Sequence, residues 1–121
     1  ASALAATRSA AGEPPLTRDA RLDAVARAHA QHMATRRDLA HDAGDGDPDE
    51  RMRAAGLTAR ASGENVAHAA SVALAQAALW ASPSHRANML RRDFDRLGVA
   101  VVRDGRGEVW AVETFASDLR D

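Results

Sequence analysis

The sequence contains no cysteine, lysine, tyrosine or isoleucine, and its aromatic content is two Trp and two Phe. Without cysteine there are no disulfides, no thiol nucleophile and no thiolate metal ligand. With so few aromatics, a hydrophobic fraction of 45% must come from Ala, Leu and Val, so each buried residue contributes little apolar area. No apolar run approaches the roughly 20 residues needed to span a bilayer. Charge of one sign is not in excess: the net charge is -1 and the pI about 6.6, which removes the clustered basic face expected of a nucleic-acid binder. All 16 basic residues are Arg, a bias of GC-rich coding rather than of function, and the pairs Arg36-Arg37 and Arg91-Arg92 read as solvated. Two catalytic signatures are missing as well. There is no Gly-x-Ser-x-Gly elbow, although Ser82 and Ser84 flank His85, and no His-Glu-x-x-His helix.

What is present fits one domain over residues 1–121, because chains of about 100–150 residues build one core. It begins at Ala1-Ser2-Ala3 rather than at Met, which suits removal of an export signal. Leu4 to Ala11 reads as a short helix stopped by Gly12, and Glu13-Pro14-Pro15 forces an extended passage. Leu22, Val25, Ala26, His29 and Met33 then form one helical stripe, predicting a helix over 18–37 with Thr17 as its N-cap. Asp42 to Asp47 is a solvated loop without EF-hand spacing. Asp47 as N-cap, Pro48 at the first helical position, acids in the first turn and Gly56 past the end predict a helix over 48–55.

A strand follows, ending near Val66, and Ser71 caps a fourth helix that Ser82-Pro83 halts and restarts through Leu90. From Leu97 the period becomes that of strands: 97–102 and 108–115 flank the glycine-containing connection Arg103 to Gly107. In the second strand Val109, Ala111, Glu113 and Phe115 share one face, and Trp110 and Val112 the other. A sheet apolar on both faces must be covered on both, which predicts an α+β, three-layer α-β-α sandwich with a small antiparallel sheet.

Glu64 lies among small and apolar residues in Gly63-Glu64-Asn65-Val66-Ala67, and a carboxylate in that setting needs a partner. His41 and His85 flank it in sequence, each near a helix end. Two neutral imidazoles with a carboxylate or water suit zinc; without metal, Glu64 would hold one imidazole in a fixed tautomer. The plain alternative for both histidines is capping of nearby backbone. Asn65 reads as structural, Arg86 and Asn88 as braces of the His85 turn, and Glu113 as an exposed rim acid or a further cleft acid. His29 reads as a packed core histidine, His32 and His68 as surface residues, and Trp80 and Trp110 as core anchors.

The ordered set Leu22-x5-Ala28-His29-Ala30-x2-Met33-Ala34, Leu39-Ala40-His41, Gly63-Glu64-Asn65-Val66-Ala67, Trp80-x-Ser82-Pro83-x-His85-Arg86-x-Asn88-x-Leu90, Phe94-x3-Gly98-Val99 and Trp110-x4-Phe115 resembles the bacterial branch of the CAP superfamily, the SCP domains. That resemblance implies an exported α-β-α sandwich whose cleft holds two His and two acids that bind a divalent metal, often zinc, in several relatives. His41 and His85 match the cleft histidines and Glu64 the Gly-Glu-Asn acid. The second acid is missing: many eukaryotic relatives place it three residues after the Trp, where this chain has Pro83. Their disulfides are also lacking. The expected function is an extracellular or cell-envelope, monomeric module binding a divalent metal or small polar ligand at His41, His85 and Glu64 without a catalytic cycle. Two alternatives stand beside it. One is a metal-assisted hydrolase of peptide or cell-envelope material in which Glu64 activates a metal-bound water; the other is a lipid or sterol carrier with an apolar groove beside the helices.

Overall fold

A computed structural model describes residues 2–121, with only the backbone described for Ser2 and Ala3. In chain order the elements are α1 (Ser2–Ala10), β1 (Thr17–Arg18), α2 (Ala20–Arg36), α3 (Pro48–Ala54), β2 (Ala61–Ala69), α4 (Val72–Ala81), α5 (Pro83–Leu90), β3 (Arg96–Arg103) and β4 (Val109–Ser117). The sheet order is β1-β3-β4-β2, so β4 is central and β2 forms one edge. Strands β2, β4 and β3 pair antiparallel, whereas β1 runs parallel to β3 through Thr17 and Arg18. The sheet is therefore mixed, not purely antiparallel. The two-residue strand carries no periodicity of its own and is held by the amides of Thr17 and Asp19 donating to Asp95 and Leu97.

The alternation along β4 separates two cores. Val109, Ala111 and Phe115 pack with Leu4, Ala75, Leu79, Met89 and Phe94 beneath α1, α4 and α5. Trp110 and Val112 pack with Ala26, Ala30, Met33 and Val66 beneath α2, and Ala116 joins Leu22, Val25 and Met52 between α2 and α3. The three layers follow from this two-sided burial. Small side chains make the layers close: a Cβ on Gly98 would lie 2.3 Å from the Leu22 carbonyl carbon, so β3 meets the first turn of α2 only because residue 98 has none.

Helix punctuation explains most boundaries. Asp47 and Glu50 form a reciprocal capping box at α3, and the Ser71 hydroxyl accepts from the Leu74 amide at 3.2 Å. At α2 the N-cap is Asp19 rather than Thr17, which is taken up by β1. Asp19 accepts from the Arg21 and Leu22 amides, and the Arg21 guanidinium holds its carboxyl down at about 2. Strand β2 runs to Ala69, three residues beyond the expected end near Val66, because its pairing with β4 continues through Val109. Arg8 anchors α1: almost fully buried, it donates to the carbonyls of Pro14, Met89, Arg91 and Phe94, consuming acceptors left free at the end of α5. Burial lowers its pKa, partly offset by Glu13.

The Gly98 contact gives a direct test. Gly98→Ala is expected to lower stability by about 1–3 kcal/mol through overpacking against Leu22, read as a lower urea midpoint at unchanged slope. An unaltered midpoint would refute the close approach of α2 to β3.

Candidate functional site

Glu64 lies on edge strand β2 opposite Thr114 and shares the face of Val66, so its carboxylate points into the layer of α2 and α3. Its side chain is 1% exposed, and partners reach it from both elements and from the connecting segment. His41, beyond the end of α2, donates Nδ1–H to Oε1 at 2.9 Å. Arg51, on α3, donates Nη2–H to Oε1 at 3.0 Å and places the same nitrogen 2.8 Å from Oε2. His29, on α2, brings Nε2 to 3.7 Å. A buried carboxylate is tolerable only with such compensation.

A second tier holds these partners. Arg51 also donates to the carbonyls of His41 (2.7 Å) and Gly46 (3.1 Å), tying α3 to the loop that carries His41. His29 is fully buried, as expected of a core histidine, and bonds the Ala40 carbonyl through Nε2 (2.9 Å) and Asp45 Oδ2 through Nδ1 (2.7 Å). Both partners are acceptors, so each ring nitrogen of His29 faces an oxygen. Burial pushes the Asp45 carboxyl up, but the His29 bond and the charges of His29 and Arg51 outweigh it and leave the group below its ordinary value. The 42–47 loop is thus more than a solvated turn: Asp45 holds His29, and Asp42 accepts from the Gly44 and Gly46 amides.

The two candidate ligand histidines are placed differently. His41 is 56% exposed; its Nδ1 is committed to Glu64, and its Nε2 has no hydrogen-bond partner among the described residues. His85 opens α5, on the other side of β2, half-buried with its Nδ1 buried and unpartnered. Desolvation, then the charge of nearby His41, lowers its pKa and favours the neutral ring. The structure therefore joins His41 directly to Glu64, whereas His85 makes no hydrogen bond or ion pair with either among the described residues and feels His41 only as a neighbouring charge.

Asn65, next along β2, points to the opposite face. Its Nδ2 donates to the His85 carbonyl (3.1 Å) and to Glu113 Oε1 (3.0 Å), while its Oδ1 accepts from Asn88 (2.9 Å). Asn88 also donates to the Glu64 carbonyl at 3.3 Å, so Asn65 and Asn88 brace the His85 turn. Arg86 instead lies over the Trp80 ring at 5.4 Å. Glu113 is half-buried rather than an exposed rim acid, and it shares the Asn65 amide with the His85 carbonyl. It faces α1 and α4, across the sheet from Glu64, and burial raises its pKa against the opposing Asn65 bond.

Two further expectations are corrected. Trp80 is 42% exposed rather than a core anchor, unlike the buried Trp110, because α4 turns it outward. His68 is not a free surface residue: it stacks on Trp110 at 3.8 Å and bonds Glu108. His68, Asp104 and Glu108 offer ligand atoms within 4.8 Å of one another, but Arg37 already donates to both carboxylates and Trp110 donates to Asp104. That cluster is an ion-paired knot locking the β3–β4 connection to the end of α2. Sequence reasoning missed Arg51 and Asp45; the available signal was the strong α3 capping box, which fixes where residue 51 projects.

Removing one half of the buried pair should be costly. Arg51→Met is expected to destabilise the protein by about 3–5 kcal/mol, with Glu64→Gln restoring part of that loss in the double variant; additive losses in urea unfolding would disprove the pairing. For His85, the folded state favours the neutral ring, so its contribution is full above the unfolded value of about 6.5 and falls as pH drops through it. Wild-type Tm should accordingly drop more between pH 7.5 and 5.5 than that of His85→Gln, and equal drops would contradict the desolvated placement.

No helix among the described residues is long and apolar enough to cross a membrane. No curated protein matches the chain. Among solved structures it is similar to an extracellular protein containing an SCP domain from Bacillus anthracis (26% identity, TM-score 0.85, 95% of this chain and 38% of that one). It is also similar to an outer surface protein from Borrelia burgdorferi (21% identity, TM-score 0.87, 97% of this chain and 88% of that one). A third is a cysteine-rich secretory protein from Staphylococcus aureus (19% identity, TM-score 0.78, 97% of this chain and 36% of that one). The chain thus spans little more than a third of the Bacillus and Staphylococcus proteins. Residues 1–115 match the profile of the cysteine-rich secretory protein family, and with the α-β-α sandwich built as described, the chain belongs to the CAP family.

Proposed function

We propose that this CAP domain is an exported, non-catalytic module whose cleft at His41 and His85 binds a divalent metal, zinc by donor chemistry, or a small polar ligand in its place. The observation that carries this reading is the 2.9 Å bond from His41 Nδ1 to Glu64, which orients the ring and leaves Nε2 as the nitrogen open to a metal. A carboxylate behind a histidine is the arrangement that fixes tautomer and raises basicity in metal sites. His85 suits the same group, since desolvation keeps it neutral and its buried Nδ1 has no partner. The donor set is thus two imidazoles, with Glu64 orienting one of them. Bound there, zinc would supply Lewis acidity toward a ligand oxygen.

Glu64 is poorly placed as a general base, because His41 and Arg51 both donate to Oε1 and the Arg51 guanidinium lies 2.8 Å from the buried Oε2; this favours a binding role over hydrolysis. Export is supported by the extracellular and outer-surface relatives.

Isothermal titration with zinc tests the reading. Wild type is expected to take up one zinc, His41→Ala and His85→Ala to bind at least about tenfold more weakly, Glu64→Gln about 10–100-fold more weakly, and His68→Ala to bind as wild type. Equal affinity of wild type and His41→Ala, or no uptake by folded wild type, would sink the metal assignment.

A further inference from the structure

Strand β2 has a free edge, because β4 lies on one side of it and no strand lies on the other. Which of its backbone groups face outward follows from β3. The carbonyls of Asp95 and Leu97 accept from the Thr17 and Asp19 amides, and the Val99 amide donates to Asp23, so the odd-numbered residues of β3 turn away from β4. Bonded and non-bonded pairs alternate along an antiparallel ladder. The even pairs Gly98 with Thr114 and Ala100 with Val112 therefore bond β3 to β4, which leaves Glu113 and Ala111 to bond Asn65 and Ala67 of β2. The N–H and C=O groups of Ser62, Glu64, Val66 and His68 consequently point away from the sheet. Of these, the Glu64 carbonyl alone has a partner among the described residues, the Asn88 amide at 3.3 Å. The edge is closed at Glu64 and open at Val66 and His68.

Unpaired edges are usually blunted by a basic residue, a Pro, a bulge or a covering element. The other edge of this sheet is covered, by β1 and then by Asp23, as far as Val99. Strand β2 carries no basic residue and no Pro, and its pairing with β4 is unbroken from Ala61 to Ala69. A rim runs beside it. Arg37 donates to Glu108, which His68 also bonds, and His41 bonds Glu64, so the segment 37–41 follows the edge from the level of His68 to that of Glu64. Midway along that segment Leu39 is 48% exposed, an apolar side chain in solvent next to open backbone.

We propose that the free edge of β2 takes the C-terminal segment of a peptide as an added antiparallel strand. The penultimate residue of the peptide pairs with Val66 and sets its side chain on Leu39, the residue two before it pairs with His68, and the terminal carboxylate lies at the His41/His85 cleft. Main-chain bonds of this kind supply affinity, and alternate side chains supply selection. Direction follows from the closed position: a strand pairing with His68 and Val66 meets Asn88 at Glu64, level with the imidazoles, and ends there. A carboxylate suits that end because its charge opposes that of a metal on two neutral imidazoles, whereas an amino terminus would bring a like charge. The carboxylate's place rests on the metal reading above; the strand pairing does not.

The test uses dansyl-Gly-Thr-Ser-Leu-Ala with a free C-terminus, followed by dansyl anisotropy on zinc-loaded protein, with the C-terminal amide as control. The acid should bind saturably and about tenfold or more tighter than the amide. N-methylation of Leu or of Thr, whose N–H groups face β2, should each weaken binding about tenfold, the loss expected for one main-chain hydrogen bond left unmade. N-methylation of Ser or of the terminal Ala, whose N–H groups face away, should leave the affinity close to that of the parent peptide. Leu39→Asp, at an exposed position, should weaken binding with Tm and zinc uptake unchanged. Equal affinity of acid and amide, a loss that does not alternate along the peptide, or no saturable binding by folded wild type would each overturn the proposal. So would a homodimer in sedimentation equilibrium that Leu39→Asp abolishes, since a second copy would then hold the edge. Zinc uptake measured on the same samples separates the two readings: alternating loss without zinc uptake removes the metal and keeps the strand, and zinc uptake without alternation does the reverse.

Discussion

The ion pair between Glu64 and Arg51 is the constraint on which the rest of this half of the molecule depends. A carboxylate 1% exposed on an edge strand is admissible only if charge comes to it, and Arg51 does so from α3 while also gripping the carbonyls of His41 and Gly46. One guanidinium therefore sets the distance of α3 from β2 and the path of the loop carrying His41. Stability and site geometry become the same quantity here. Loosening the pair to gain flexibility at His41 would leave an uncompensated charge in the core, so the loop is held rigidly although its histidine is exposed.

Much of this was legible in the sequence, because its parts rest on local rules. The capping box of α3, the Ser71 cap, the Pro83 restart and the two-sided apolar pattern of β4 each act within a few residues, and each is found where pattern places it. The three-layer sandwich follows from the last of them. Parts decided by tertiary pairing were not legible. Strand β1 exists because two residues after Pro15 fall beside β3, and no periodicity announces a two-residue strand. That Thr17 would be drawn into it, leaving the cap to Asp19, follows from the same pairing.

At the site, Glu64, His41 and His85 stood out by chemistry and context, whereas Arg51 did not, since one Arg among 16 carries no mark of burial. Glu113 was misplaced for a related reason. Alternation put it on the face of Val109 and Phe115, but not whether a helix or solvent lay above it, and the packing of α1 and α4 decides that. His68 was likewise invisible until β2 and β4 aligned it with Trp110, which their register does by pairing the two residues directly.

The stretch Gly63-Glu64-Asn65 shows how one edge strand organises both faces. Successive side chains of a strand point to opposite sides, so Glu64 gathers His29, His41 and Arg51 beneath α2 and α3, while Asn65 gathers His85, Asn88 and Glu113 beneath α5 and α4. Gly63 completes the set by its size: a Cβ there would stand 2.9 Å from Asn88 Oδ1 and 3.0 Å from Phe94, so α5 can close on the strand only over a glycine. That closure is what brings His85 within reach of the charge on His41. The cleft is thus assembled across the strand edge from two layers that, among the described residues, are linked at this point through the β2 backbone. Each histidine owes its orientation to a different face: one to a carboxylate, the other to an amide on its carbonyl.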